Sequence, residues 1–111
     1  MMGDTVQLND LAQGLSEKIE NLGSDVHYKD FKSMRSFKSK VNSRKAPLCL
    51  CWLEPKRDGV LLVHIRKGDY SSLDINQSLR IGWGNYPEIE LHNFSEIDYV
   101  FKLIKLAYEE K

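Results

Sequence analysis

Two thiols one residue apart, Cys49 and Cys51 in APLCLCWLEP, and an imidazole at His64 are the groups of this chain best suited to nucleophilic chemistry. A histidine beside a cysteine lowers the thiol pKa, and the thiolate is the form that attacks. His64 lies on the apolar run VLLVHIRK, from which it could face either cysteine across a hairpin. The competing reading is a strand histidine with its polar end near solvent. No nucleophile-elbow glycine pattern is present to activate a serine. On one strand Cys49 and Cys51 would share a face with Cα atoms about 6.6–6.8 Å apart, at or beyond the comfortable reach of a disulfide. Both are expected to be reduced and in or near the core. A structural zinc site needs four ligands, and His27, His64 and His92 have no finger-like spacing to the cysteines. His92 and Glu90 alternate on the outer face of a strand, where plain solvation is expected. The remaining acids are scattered, so the sequence predicts no catalytic set, no cofactor and no metal, and nothing in it demands an enzyme.

Two further stretches could bind rather than react. GWGNYP suggests a phosphate-cradling loop, but the third glycine of a dinucleotide fingerprint is missing and a strand follows in place of a helix. Trp83 with Tyr86 could stack a planar group, with Arg80 as a nearby cation, or Trp83 could simply pack the loop over the sheet edge. The second stretch, KDFKSMRSFKSKVNSRK, carries seven basic residues and one acid in a chain of zero formal charge. Residues 1–28 sum to −4, residues 29–67 to +8 and residues 68–111 to −4, a basic middle between acidic ends. Such asymmetry bears on surface potential and partners. The residues placed to reach a partner are Lys38, Lys40, Arg44 and Lys45; Tyr28, Phe31 and Phe37 are expected in the core.

These residues must be positioned by local structure. The chain has 111 residues, 41% hydrophobic and 29% charged, which fits a single globular domain spanning 1–111. Leu8, Leu11, Leu15, Ile19 and Leu22 recur at helical spacing and predict a helix over about 5–22, capped by Asp4 or Thr5, with Gly23 past its end. A short helical or irregular lead-in follows, then a strand at about Met34–Val41. PLCLCWLE and VLLVHIRK, joined by PKRDG, predict a hairpin in which Leu61, Val63 and Ile65 face the core and Gly59 takes a positive φ. Residues 69–87 read as a long polar connection, and PEIELHN as a half-exposed strand. The closing segment has an apolar face of Ile97, Val100, Leu103, Ile104, Ala107 and Tyr108, with Ser95 and Asp98 at capping-box spacing. The predicted fold is α+β, a mostly antiparallel sheet of about four strands with N- and C-terminal helices, in the order α-β-β-β-loop-β-α. No apolar run nears the roughly 20 residues of a membrane span and the start lacks a signal pattern, so a cytoplasmic location is expected.

The order of elements, the hairpin, and above all IGWGNYPEIELHNFSEIDYVFKLIKLAYEE resemble a small uncharacterised prokaryotic domain of unknown function that carries the label "predicted transport protein". In that family a Trp-Gly pair precedes a strand, an acidic helix start and a closing Leu-Ile-x-x-Ala-Tyr-Glu. Trp83-Gly84, Glu88 to Leu91, Ser95 to Asp98, and Leu103-Ile104 through Ala107-Tyr108-Glu109 occupy those places. Gly82 stands where the family usually has His or Arg. The family often forms the C-terminal module of restriction-nuclease-like or other defence proteins. The resemblance implies an accessory binding domain without established activity. Three readings follow: a non-enzymatic module docking an acidic protein partner or a second copy through the basic middle; a nucleic-acid-binding module using the same surface; and a small-ligand domain or enzyme built on the Trp83 loop.

Overall fold

The computed structural model describes residues 8–39, 48–68, 70, 72 and 79–109. Helix α1 spans Asp10–Glu20, and its stripe of Leu11, Ala12, Leu15 and Ile19 is buried. Its cap is Asn9, whose side-chain oxygen accepts from the Ala12 N–H at 2.9 Å. The expected caps Asp4 and Thr5 lie outside the described residues. The Asn9 amide also donates to the Val60 carbonyl at 3.0 Å, fixing the helix start to the central hairpin.

Six strands follow in one antiparallel sheet: β1 His27–Asp30, β2 Arg35–Ser39, β3 Leu48–Pro55, β4 Leu61–Ile65, β5 Arg80–Ile81 and β6 Pro87–Leu91. Their spatial order is β1-β2-β3-β4-β6-β5, with every neighbouring pair antiparallel. Helix α2, Ile97–Glu109, closes the chain. The α+β class and the two helices agree with the sequence reading, but among the described residues the sheet has six strands where about four were expected. The first extra strand is β1: the stretch expected as a helical or irregular lead-in forms a hairpin with β2, closed where the Phe31 N–H donates to the Met34 carbonyl at 2.8 Å. The second is β5, two residues inside the expected connection.

The inner face of the sheet lies under both helices. Phe37, Leu50, Cys51, Leu53, Leu61, Val63, Ile65, Ile89 and Leu91 meet Leu11, Leu15, Ile19, Val100, Leu103 and Ile104 there. Each large apolar side chain so buried contributes about 1.5–3 kcal/mol. Between β3 and β4 the expected turn forms a short 3-10 helix at Arg57–Gly59, with Gly59 at φ +77°.

A register shift breaks the alternation of β3. Phe37 stands opposite Cys51 and Lys38 opposite Cys49, so Leu50 is the extra residue of a β-bulge. Cys51 is therefore in the inner core, while the Cys49 sulfur meets Ser36 Oγ at 3.6 Å on the outer face. The two cysteines do not share a face, contrary to the period-2 expectation.

Arg66 locks the end of α2 to the bulge. Its Nε donates to the Cys49 carbonyl at 2.9 Å and its guanidinium donates to the Ala107 carbonyl at 3.1 Å, a cation at a helix C-terminus. The α2 entry is a 3-10 turn at Phe94–Glu96, where Asn93 and Glu96 form a capping box. That pair replaces the expected Ser95 and Asp98.

Candidate binding surface on the outer face of the sheet

Strand register aligns one residue from each strand in a single row: Lys29, Ser36, Trp52, His64, Glu88 and Arg80. All lie on the face turned away from the helices, because their neighbours Phe37, Cys51, Leu53, Val63, Ile65 and Ile89 are the inner core. The row starts with a cation, passes an aromatic and an imidazole, and ends in an ion pair.

The centre is a histidine held between two carboxylates. His64 is fully buried; its Nε2 donates to Glu54 Oε1 at 3.1 Å and its Nδ1 stands 3.5 Å from Glu88 Oε1. Lys56 Nζ pairs with the other Glu54 oxygen at 3.0 Å, and Arg80 Nε with the other Glu88 oxygen at 3.1 Å. Arg80 also reaches Glu90 at 3.5 Å, and Glu90 contacts His92 at 3.4 Å. Burial pushes the Glu54 carboxyl up, but hydrogen bonds from His64 and Lys56 outweigh it and hold the group below its ordinary range. Gly82 lets the Glu88 carboxyl lie directly against its Cα, where any Cβ would overlap the carboxylate.

Aromatic rings border this cluster. Trp52 meets His64 edge-on at 6.5 Å between centroids, and Tyr86 packs on Trp52 at 4.8 Å with Lys67 Nζ 4.9 Å from the Tyr86 ring. Tyr86 is aimed there by a tight turn in which Gly84 and Asn85 have φ of 66° and 63°, and the Gly82 N–H donates to the Tyr86 carbonyl at 2.8 Å.

At the β1–β2 end the face is basic. His27, Lys29 and Lys38 project outward there and are exposed, Lys32 is exposed at the hairpin tip, and no carboxylate lies on the outer face of β1 or β2 among the described residues. Asp30 points inward, where Arg35 engages it through two hydrogen bonds of 2.6 and 2.9 Å. Tyr28 and Phe31 are 45% and 46% exposed, against the expectation that they are core; Phe37 alone of the three is buried. The reason is that β1 is the last strand in the sheet order and, among the described residues, no element covers it. Cations already occupy the exposed rings: the Arg35 guanidinium lies 3.8 Å from the Tyr28 centroid, and Lys29 Nζ lies 5.4 Å from that of Phe31.

The residues singled out in the sequence divide accordingly. Lys38 is exposed on the basic end. Lys40, Arg44 and Lys45 lie outside the described residues. Arg80 is engaged by Glu88 and Glu90, and the backbone of Trp83 begins a 3-10 turn, Trp83–Asn85, at the far edge. His64 stands opposite Trp52 and is not near solvent, contrary to expectation; its Nε2 bonds to Glu54 and its Nδ1 stands 3.5 Å from Glu88. Burial pushes both thiols up, Cys51 far and Cys49 less because Ser36 offsets part of it, so neither is a ready nucleophile. Among the described residues no cluster of His, Cys, Asp and Glu has the makings of a metal site, and no helix is long and apolar enough to cross a membrane. Glu54 and Glu88, which sequence reasoning missed as a pair, are 34 positions apart and meet only through the register of β3, β4 and β6. Comparison with known protein families, curated proteins and solved structures finds no match.

Proposed function

We propose that this domain is a recognition module that docks an acidic protein partner through the basic end of the outer face. The supporting observation is the grouping of Lys29 and Lys38, with His27 between them and Lys32 at the tip, on a face that holds no carboxylate of β1 or β2 among the described residues, beside half-exposed aromatic side chains at the sheet edge. Lys40, Arg44 and Lys45 follow β2 directly and extend the same charge in sequence. Clustered cations without neighbouring acids steer and hold an acidic surface, and the effect weakens with salt. A polypeptide fits better than a nucleic acid, because a base stacks best on a fully open ring and the chain's own cations already take one face each of Tyr28 and Phe31. An accessory role in a larger assembly, as the family resemblance implies, belongs to the same proposal.

The test is titration of the full chain with poly-glutamate, oligothymidylate and single- and double-stranded RNA at low and physiological salt. Two charge-reversed variants accompany it, one at Lys29 and Lys38 and one at Lys40, Arg44 and Lys45. Salt-sensitive binding of poly-glutamate that both variants weaken is the expected result. Preferential binding of a nucleic acid, lost in the same variants, would replace the protein partner with a phosphate backbone. No binding at low salt would remove the docking surface altogether.

A further inference from the structure

The edge at the basic end, uncovered among the described residues, belongs to a strand, and a strand edge has a chemistry of its own. In an antiparallel ladder, residues alternate between bonding inward to the neighbour and pointing their N–H and C=O outward. The hairpin bond from Phe31 to Met34 sets the phase: Lys29 and His27 bond toward β2, while Tyr28 and Asp30 direct their backbone groups away from the sheet. Among the described residues no further strand lies beyond β1, and His27, Tyr28 and Lys29 are exposed. Natural edges are usually shortened, covered or charged against unwanted pairing. This one carries charge of one sign on one face only.

We infer that β1 accepts an extended acidic polypeptide as a seventh strand, in which acidic residues alternate with apolar ones. The inference rests on the docking reading above and specifies its partner. Register gives the pattern. An added strand places every second side chain on the outer face beside His27 and Lys29, with Lys38 behind them, so those positions are acidic. The intervening side chains fall on the inner face beside Tyr28, one face of whose ring is taken by the Arg35 guanidinium, and an apolar group packs against the part that remains exposed. An acid there would face Asp30, so the two positions are not interchangeable. In antiparallel addition Lys29 occupies a non-hydrogen-bonded pair, in which facing Cα atoms are about 4.5 Å apart and side chains meet most closely. Backbone bonds supply affinity and the alternation supplies register.

The experiment uses the full chain and two synthetic peptides of about eight residues, a usual strand length. One alternates Glu with Val; the other has the same composition with all Glu preceding all Val. Binding is followed by NMR titration, and hydrogen exchange is measured at the Tyr28 and Asp30 amides. Tyr28→Pro, which removes an outward N–H and no inward one, is compared with Tyr28→Ala, which keeps it; both are checked for folding by circular dichroism. The expected result is about tenfold tighter binding of the alternating peptide, a difference of about 1.4 kcal/mol. Slowed exchange at Tyr28 and Asp30 and a larger loss in Tyr28→Pro than in Tyr28→Ala accompany it. Equal binding of both peptides without protection of those amides overturns strand addition and leaves acidic docking standing. Absence of binding by either peptide at low salt overturns both.

Discussion

His64 shows how a single side chain acquires its character from strand register. Its flanking residues Val63 and Ile65 are apolar, and nothing around VLLVHIRK announces that Glu54 will bond to one ring nitrogen and Glu88 stand beside the other. Sequence reasoning placed it correctly on the face opposite Leu61, Val63 and Ile65 but expected its polar end to be wet. Burial on an outer face arises from Trp52 and Tyr86, whose packing depends on a turn far along the chain. The pair with Glu54 carries a pH signature. The folded-state pKa of Glu54 lies below its ordinary value of 4.5, so its stabilisation is present above that pH and is lost as pH falls through the folded value. Urea unfolding of Glu54→Gln, compared with the parent chain between neutral pH and pH 3, is expected to show a shallower acid loss. Parallel profiles would remove this carboxylate from the acid response.

At the scale of elements, capping offers a clean measurement. Asn93 and Glu96 close a reciprocal box that aims α2 onto the sheet. Asn93→Ala is expected to lower unfolding free energy by about 1 kcal/mol in urea titration, and an unchanged midpoint would deny the box any part in stability. The sequence reading found α2 from its apolar stripe but moved the box by two residues, because Ser95 and Asp98 satisfy the same spacing rule and only geometry chooses between them. The central hairpin was legible for a better reason: an apolar run on each side of PKRDG leaves one arrangement, and Gly59 takes the positive φ foreseen for it. β1 was not legible. Tyr28, Phe31, Met34 and Phe37 recur every third residue, which mimics a helical face, whereas the strand is only four residues long and gains its partner through a tight turn. The candidate surface was legible in charge and not in geometry: Lys38 is exposed at the basic end, but the placement of His27, Lys29 and Lys32 beside it depends on the hairpin.

Across the whole molecule, one polar knot joins parts of the chain 83 residues apart. Asp25 accepts from the Tyr108 hydroxyl at 2.8 Å and from Ser39 Oγ at 2.7 Å, linking the end of α2, the approach to β1 and the end of β2. Gly23 leaves the space the phenol needs. The hydrogen bond to Asp25 raises the Tyr108 pKa above its ordinary 10.0, with burial adding to it. A raised pKa stabilises the fold below the unfolded value and loses that contribution as pH climbs through the folded one. Tyr108→Phe is therefore expected to lose stability at neutral pH and to flatten the alkaline decline in melting temperature above pH 10. An unaltered alkaline slope would place the titrating group elsewhere.

The sheet order carries a consequence for how the chain comes into being. β6 lies between β4 and β5, although it follows both in sequence. During synthesis, β4 leaves the ribosome with Leu61 and Val63 on a strand whose far side stays open until residues 87–91 emerge. β5 must wait at the same time for the neighbour that will carry it. A product interrupted before Pro87 therefore leaves open the β4 edge that β6 pairs with in the folded sheet, and such an unpaired edge is prone to association.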